Sequence, residues 1–168
     1  MEIYVMRHGD AVDREDPAMK SDEMRPLTDL GKDESAQMAR ALRLLGVKPD
    51  AILTSPLVRA RETAEIVASE LGLGKPAISD ELAPDGSTAG VLSDILNAGP
   101  PRQVLLSGHM PGVGRIVSYL TWNSSETIIP MRTAAICRVD LPDETPFPGY
   151  GDLRWLLPPR TAGRLIKR

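Results

Sequence analysis

Glu2-Ile3-Tyr4-Val5-Met6-Arg7-His8-Gly9 stands at the head of the sequence, and its reading decides the fold. Five residues of apolar and alternating character predict a short strand that delivers Arg, His and Gly to its C-terminal end. At that edge of an open α/β sheet the chain turns into a crevice, where such folds bind ligands. The three residue types suit a phosphate. A guanidinium grips phosphoryl oxygens bidentately, an imidazole can attack phosphorus, and Gly9 lets the backbone pass close to an anion. The tripeptide alone also fits a strand end whose His is simply solvated or hydrogen-bonded.

Downstream, the pattern repeats. A polar stretch from Asp10 to Pro26 predicts a surface loop. From Thr28 or Asp29, either a suitable N-cap, apolar residues recur at Met38, Leu42 and Leu45 before Gly46, which predicts an amphipathic helix. Ala51-Ile52-Leu53-Thr54 predicts a buried strand that opens through Ser55-Pro56 into a second helix, with Ala60, Ala64, Val67 and Leu71 inward and Gly72 as its stop. A brief strand at Ala77-Ile78 leads into a loop, Glu81 to Gly86. A helix from Ser87 or Thr88 follows, with Val91, Leu92, Ile95 and Leu96 inward and Gly99-Pro100-Pro101 as its stop.

Gln103-Val104-Leu105-Leu106-Ser107 predicts a central strand that empties into Gly108-His109-Met110-Pro111-Gly112, ahead of a helix containing Ile116, Val117 and Leu120. Two further strands, Ala134 to Leu141 and Leu153 to Leu157, flank a turn region with Pro142, Pro146, Pro148 and Gly149. The basic end, Arg160 to Arg168, predicts a short frayed helix or tail, read as a solvated terminus rather than a binding patch. Strands alternating with helices give a single domain spanning residues 1–168, a three-layer αβα sandwich with a largely parallel central sheet. Right-handed crossovers then bring successive strand exits to one edge.

Bulk properties narrow the partners. The 168 residues are 42% hydrophobic and 26% charged, with both signs mixed and a net charge of -3. No general basic surface for nucleic acid or membrane follows, so any phosphate affinity must be local. The apolar runs are too short to span a bilayer, and a soluble cytoplasmic protein is expected. The single cysteine, Cys137, excludes an internal disulfide and reads as a buried structural thiol.

Both histidines of the chain, His8 and His109, lie at predicted strand exits. Convergence on one pocket explains this better than scatter. Metal is the first rival, but the sequence has no His-x-x-x-His and no Cys pair. Phosphate is favoured because Arg7 adjoins one histidine and Arg59 leaves the first turn of the second helix, whose positive end points the same way. Arg61 reads instead as a solvated residue paired with Glu62 or Glu65. No Gly-rich nucleotide loop is present, and Cys137 is followed six residues later by Asp143 rather than arginine.

Met6-Arg7-His8-Gly9-Asp10-Ala11, Arg25-Pro26-Leu27-Thr28-Asp29-Leu30-Gly31, Thr54-Ser55-Pro56-Leu57-Val58-Arg59-Ala60 with Thr63-Ala64, and Gly108-His109-Met110-Pro111 resemble the histidine phosphatase, or phosphoglycerate mutase-like, superfamily. The match runs in order across most of the chain. Its compact length, the loop Glu81 to Gly86 and the early Arg-Pro-Leu-Thr resemble in particular the SixA-type phosphohistidine phosphatases. The resemblance implies that His8 is the nucleophile, forming a covalent phosphohistidine that water hydrolyses. It implies that Arg7, Arg59 and His109, the last best as imidazolium, hold the phosphoryl oxygens, and that no metal or organic cofactor takes part.

Around that set, Gly9 and Arg25 are expected to contribute to substrate binding, although Arg25 also suits a surface salt bridge. Glu81 is a possible proton donor, or else an exposed residue before a loop. Asp10 reads as a turn or cap former. A phosphoramidate leaves more readily than an alkoxide, and no long insertion is present to roof a small-molecule pocket. Both features favour phosphohistidine on a protein partner, such as a phosphotransfer domain. The alternatives are a small phosphate ester as substrate, or a non-catalytic phosphoprotein-binding module.

Overall fold

The computed structural model describes residues 1–97, 101–142 and 148–167. The expected helix stop at Gly99-Pro100, the Asp143 and Pro146 part of the late turn, and Arg168 lie outside the described residues. A six-stranded sheet forms the middle layer, built from β1 (Glu2–Arg7), β2 (Ala51–Thr54), β3 (Ala77–Ile78), β4 (Gln103–Gly108), β5 (Ile136–Asp140) and β6 (Asp152–Leu157). Its order is β3-β2-β4-β1-β5-β6. The first four pair in parallel, and β5 runs antiparallel to both β1 and β6. The sheet is therefore mixed and mostly parallel.

Helices α1 (Asp29–Leu44), α2 (Val58–Leu71) and α5 (Pro159–Leu165) cover one face, and α3 (Thr88–Asn97) and α4 (Gly112–Trp122) the other. Burial on both faces accounts for the unbroken apolar runs of the central strands. In β1, Ile3 and Val5 pack toward α3 and α4, while Tyr4 and Met6 pack toward α1 and α2; all four are fully buried. Leu106 and Leu105 of β4 divide in the same way. Cys137 sits in the α3/α4 core, and burial pushes its thiol up to about 12, as a structural cysteine requires.

The helix ends follow their local chemistry. The Thr28 hydroxyl accepts from the Gly31 N–H at the start of α1, and Gly72 closes α2 at φ 68°, a conformation open to glycine without a Cβ clash. Two inward assignments are corrected. Leu45 lies beyond the last turn of α1 and is exposed, and Leu96 faces solvent because α3 packs on the sheet through Val91 and Ile95. Of the short frayed helix or tail expected at the C-terminus, the short helix is found, and it is docked rather than frayed: Ala162 is fully buried against α1, and Gln37 Nε2 donates to the Pro159 carbonyl at 2.9 Å. Among the described residues no helix is long and apolar enough to cross a membrane.

One topological consequence positions the site. β2, β4 and β1 are adjacent and parallel, so their C-terminal ends lie side by side. The chain leaves β1 for a helix on one face and β4 for a helix on the other, which opens a crevice between the two exits.

Candidate active site

His8 leaves β1 with its backbone held on both sides: its N–H donates to the Gly108 carbonyl at 2.9 Å, and its carbonyl accepts from Ala134 N–H at 3.0 Å. Its Nδ1 lies 2.6 Å from the Gly9 carbonyl. A carbonyl only accepts, so Nδ1 carries the proton and Nε2 keeps its lone pair. The tautomer suited to nucleophilic attack through Nε2 is thereby fixed. Burial pushes the pKa of His8 down to about 4; the Gly9 bond opposes this, and the charges of Arg59, Arg7 and Arg25 add to it. The ring is neutral at pH 7 and needs no base to expose its lone pair.

His109, from the exit of β4, stands beside it, with ring centroids 4.9 Å apart. Its Nε2 lies 2.9 Å from Ser55 Oγ, at the exit of β2, and that hydroxyl also accepts from Leu57 N–H at 3.3 Å. The other ring nitrogen, Nδ1, is buried without a partner among the described residues. The Ser55 hydroxyl can donate to Nε2, and in that tautomer Nδ1 carries a hydrogen that it can donate to an anion. Burial first, then the His8 and Arg59 charges, bring its pKa down to about 3. The ring itself is neutral at pH 7, and the expected imidazolium belongs to the phosphate-bound state. A dianion drawn in beside the ring would raise this pKa by charge attraction.

Two guanidiniums complete the cluster. Arg7 donates through Nη1 to the Met131 carbonyl at 2.8 Å, and its buried Nε has no partner among the described residues. Arg59, on the first turn of α2 and only 5% exposed, donates through Nη1 to the Asp22 carbonyl at 2.7 Å and through Nη2 to Asp22 Oδ2 at 3.0 Å. Its Nε is likewise buried and unpartnered. The three unpartnered nitrogens, on Arg7, Arg59 and His109, belong to residues around His8, which remains 8% exposed. Buried donors without acceptors are costly. A tetrahedral oxyanion offers acceptors of the kind they lack.

The remaining sequence candidates divide. Arg25 lies near enough for its charge to act on His8, but its Nη1 pairs with Asp22 Oδ1 at 2.8 Å and its Nε donates to the Val12 carbonyl, the salt-bridge use anticipated for it. Gly9 does not offer its N–H to a ligand, because that group donates to Thr63 Oγ1 at 3.0 Å. Glycine is required there for another reason. A Cβ on Gly9 would stand 2.7 Å from the Gly31 carbonyl oxygen and 2.8 Å from Ser35 Oγ, where α1 crosses beneath the loop.

Glu81 accepts from Ser87 N–H and Ser87 Oγ, both at 2.8 Å, and so braces the residue whose hydroxyl caps α3 at Gly90. These bonds hold its pKa below the usual carboxylate range, the opposite of what a proton donor needs. Asp10 Oδ2 accepts from the hydroxyl of Thr28 at 2.7 Å, and it is Thr28, not Asp10, that caps α1. Arg61 is exposed, and among the described residues it forms no ion pair with Glu62 or Glu65. Among those residues no group of three or more His, Cys, Asp or Glu side chains is placed to hold a metal ion.

Three contributors were missed in the sequence. Asp22 orients Arg59 from the polar loop, Ser55 holds His109, and Thr63, whose hydroxyl donates to the Arg59 carbonyl at 2.7 Å while accepting from Gly9, ties α2 to the β1 exit. Ser55 and Thr63 are fully buried hydroxyls within the quoted motif, a signal that could have marked them.

Comparison with known proteins agrees with this geometry. Residues 3–83 match the model of the histidine phosphatase superfamily, branch 1. Phosphohistidine phosphatase SixA of Escherichia coli K12 is 39% identical over 163 residues, 95% of this chain and 94% of the relative. The structure of the protein histidine phosphatase SixA in complex with tungstate superposes with a TM-score of 0.82 at 34% identity, covering 95% of this chain and 98% of that one. The α-ribazole phosphatase of Shigella flexneri shares the fold, with a TM-score of 0.73 at 17% identity over 93% of this chain and 96% of that one. With the two-histidine, two-arginine crevice in place and SixA related over nearly its full length, the chain belongs to the histidine phosphatase superfamily.

Proposed function

We propose that this protein is a cofactor-independent phosphatase that hydrolyses phosphohistidine on a protein partner. One observation carries the reading: three buried donors without acceptors belong to the residues around an imidazole whose Nε2 lone pair is free. Arg7, Arg59 and His109 bind the phosphoryl oxygens, and the Nε2 lone pair of His8 attacks phosphorus in line. The bond from phosphorus to the substrate's imidazole breaks, and that nitrogen keeps the electron pair. Water then attacks the phosphorus on His8, the bond to Nε2 breaks, and inorganic phosphate leaves. Charge grows on the phosphoryl oxygens during transfer, and the residues that carry the three donors are already in place around His8 before it does.

The leaving group explains why Glu81 can serve as a structural brace. A phosphohistidine ring protonated on its second nitrogen departs as neutral imidazole and needs no proton from the enzyme. An alkoxide would need one. The relationship to E. coli SixA, a phosphohistidine phosphatase by name, supports the same substrate class.

The test is a hydrolysis panel that sets a phosphohistidine-bearing protein against sugar phosphates and an aryl phosphate, with His8→Ala in parallel. The phosphohistidine protein should be hydrolysed fastest, and only by the parent. Preference by orders of magnitude for a small ester would overturn the substrate class. Binding without hydrolysis of anything in the panel would leave a phosphoprotein-binding module.

A further inference from the structure

Several arginines that the phosphoryl chemistry does not use gather to one side of it. Arg132, Arg160 and Arg164 line a concavity of about 620 Å³, and Arg7 forms part of the same wall. Arg7 thus borders both the phosphoryl site and this groove. Arg160 and Arg164 stand one helical turn apart on α5, which the buried Ala162 and the Gln37 bond fix against α1; Arg132 comes from the segment before β5. All three are exposed, and among the described residues none forms an ion pair.

Like charges crowded on a fixed surface repel one another. The whole chain carries a net charge of -3, so this positive concavity stands out against its surroundings. One carboxylate, Glu34, enters the wall, close enough to Arg160 to feel its charge. A polyanion of uniform charge, such as nucleic acid, is drawn by the arginines but has nothing to set opposite Glu34. A peptide can place an amide or a basic residue opposite Glu34 and acidic ones opposite the arginines.

We propose that this groove docks an acidic segment of the phosphoprotein substrate, next to the phosphohistidine presented to His8. The proposal rests on the reading of the chain as a phosphohistidine phosphatase. It assigns Arg132, Arg160 and Arg164 to selection of the partner, with no contact to the reacting atoms. Charges at the rim of an interface act mainly on association and its salt dependence, so the effect belongs in KM rather than in kcat.

The experiment uses two phosphohistidine peptides of equal length, one with three Asp or Glu residues beside the phosphohistidine and one with Ser and Gln in their place. Free phosphohistidine is the third substrate. The parent should favour the acidic peptide by about tenfold in kcat/KM at low salt, and the preference should shrink as salt is added. The triple variant Arg132→Ser, Arg160→Ser, Arg164→Ser should lose that preference through KM, while its turnover of free phosphohistidine stays at the parental rate. Equal use of both peptides by the parent, or a preference that survives the triple substitution, overturns the proposal. So does inhibition by a duplex oligonucleotide matching that by the acidic peptide without phosphate. Failure to hydrolyse any of the three substrates overturns the functional reading and the docking proposal with it.

Discussion

Acidification should destabilise the protein through its two active-site histidines, in a window set by their burial. His8 and His109 are held at about 4 and about 3, against an ordinary value of 6.5, chiefly because the crevice desolvates them. Between pH 6.5 and pH 4 the unfolded chain binds protons at both rings and the folded chain does not, so stability rises with pH there. It is fully present above pH 6.5 and lost on descent toward the folded values. A shift of two to three units at about 1.4 kcal/mol per unit makes the His8 contribution on the order of 3 kcal/mol. The His109 contribution is similar, and the two do not add in full because each ring's charge acts on the other.

Urea unfolding of the parent, His8→Asn and His109→Asn across this window isolates the effect from carboxylates that titrate nearby. Each variant should lose less stability than the parent on acidification, by a few kcal/mol at the low end. Imidazole resonances followed by NMR should show neither histidine protonating near 6.5. An active-site histidine that titrates at its ordinary value, together with equal pH slopes in parent and variants, would refute the desolvated crevice.

Three other perturbations follow from named contacts. Ser55→Ala removes the hydroxyl that fixes His109 and should lower kcat with phosphohistidine by about tenfold to a hundredfold, with recovery in Ser55→Thr; unchanged kcat in the alanine variant would remove Ser55 from the machinery. Gly9→Ala drives a Cβ against the Gly31 carbonyl and should cost about 1–3 kcal/mol in chemical denaturation, and a neutral result would mean that the loop and α1 part freely. Glu81→Gln should leave kcat within about twofold of the parent, whereas loss of a general acid would lower it by about a hundredfold or more.

Much of the fold was legible because its signals are local. Thr28, Gly46 and Gly72 mark helix ends through backbone chemistry that acts within one turn, and the apolar run from Val104 to Leu106 requires a strand covered on both faces. His8, Arg7, Arg59 and His109 were legible as a group because three strand exits meet at one edge of a parallel sheet. Asp22 was not, since its contact with Arg59 spans 37 residues and depends on the path of an irregular loop. Gly9 was assigned to the ligand, while its need for glycine comes from α1. Glu81 was ambiguous because a carboxylate before a loop can be an ordinary exposed residue or a proton donor, and its bonds to Ser87 join it to a residue six positions on, which no local pattern marks. The C-terminal helix looked frayed because it is short and basic, and packing of Ala162 against a distant helix has no local signature.

Rapid quenching of the enzyme with a 32P-labelled phosphohistidine protein, followed by mapping of the trapped label, tests the central claim most directly. Because Nδ1 of His8 is committed to the Gly9 carbonyl, the label should be acid-labile, should lie on His8 through Nε2, and should be absent from His8→Ala. Label on Nδ1, on Ser55 or on Ser107, or undiminished turnover in His8→Ala, would contradict it.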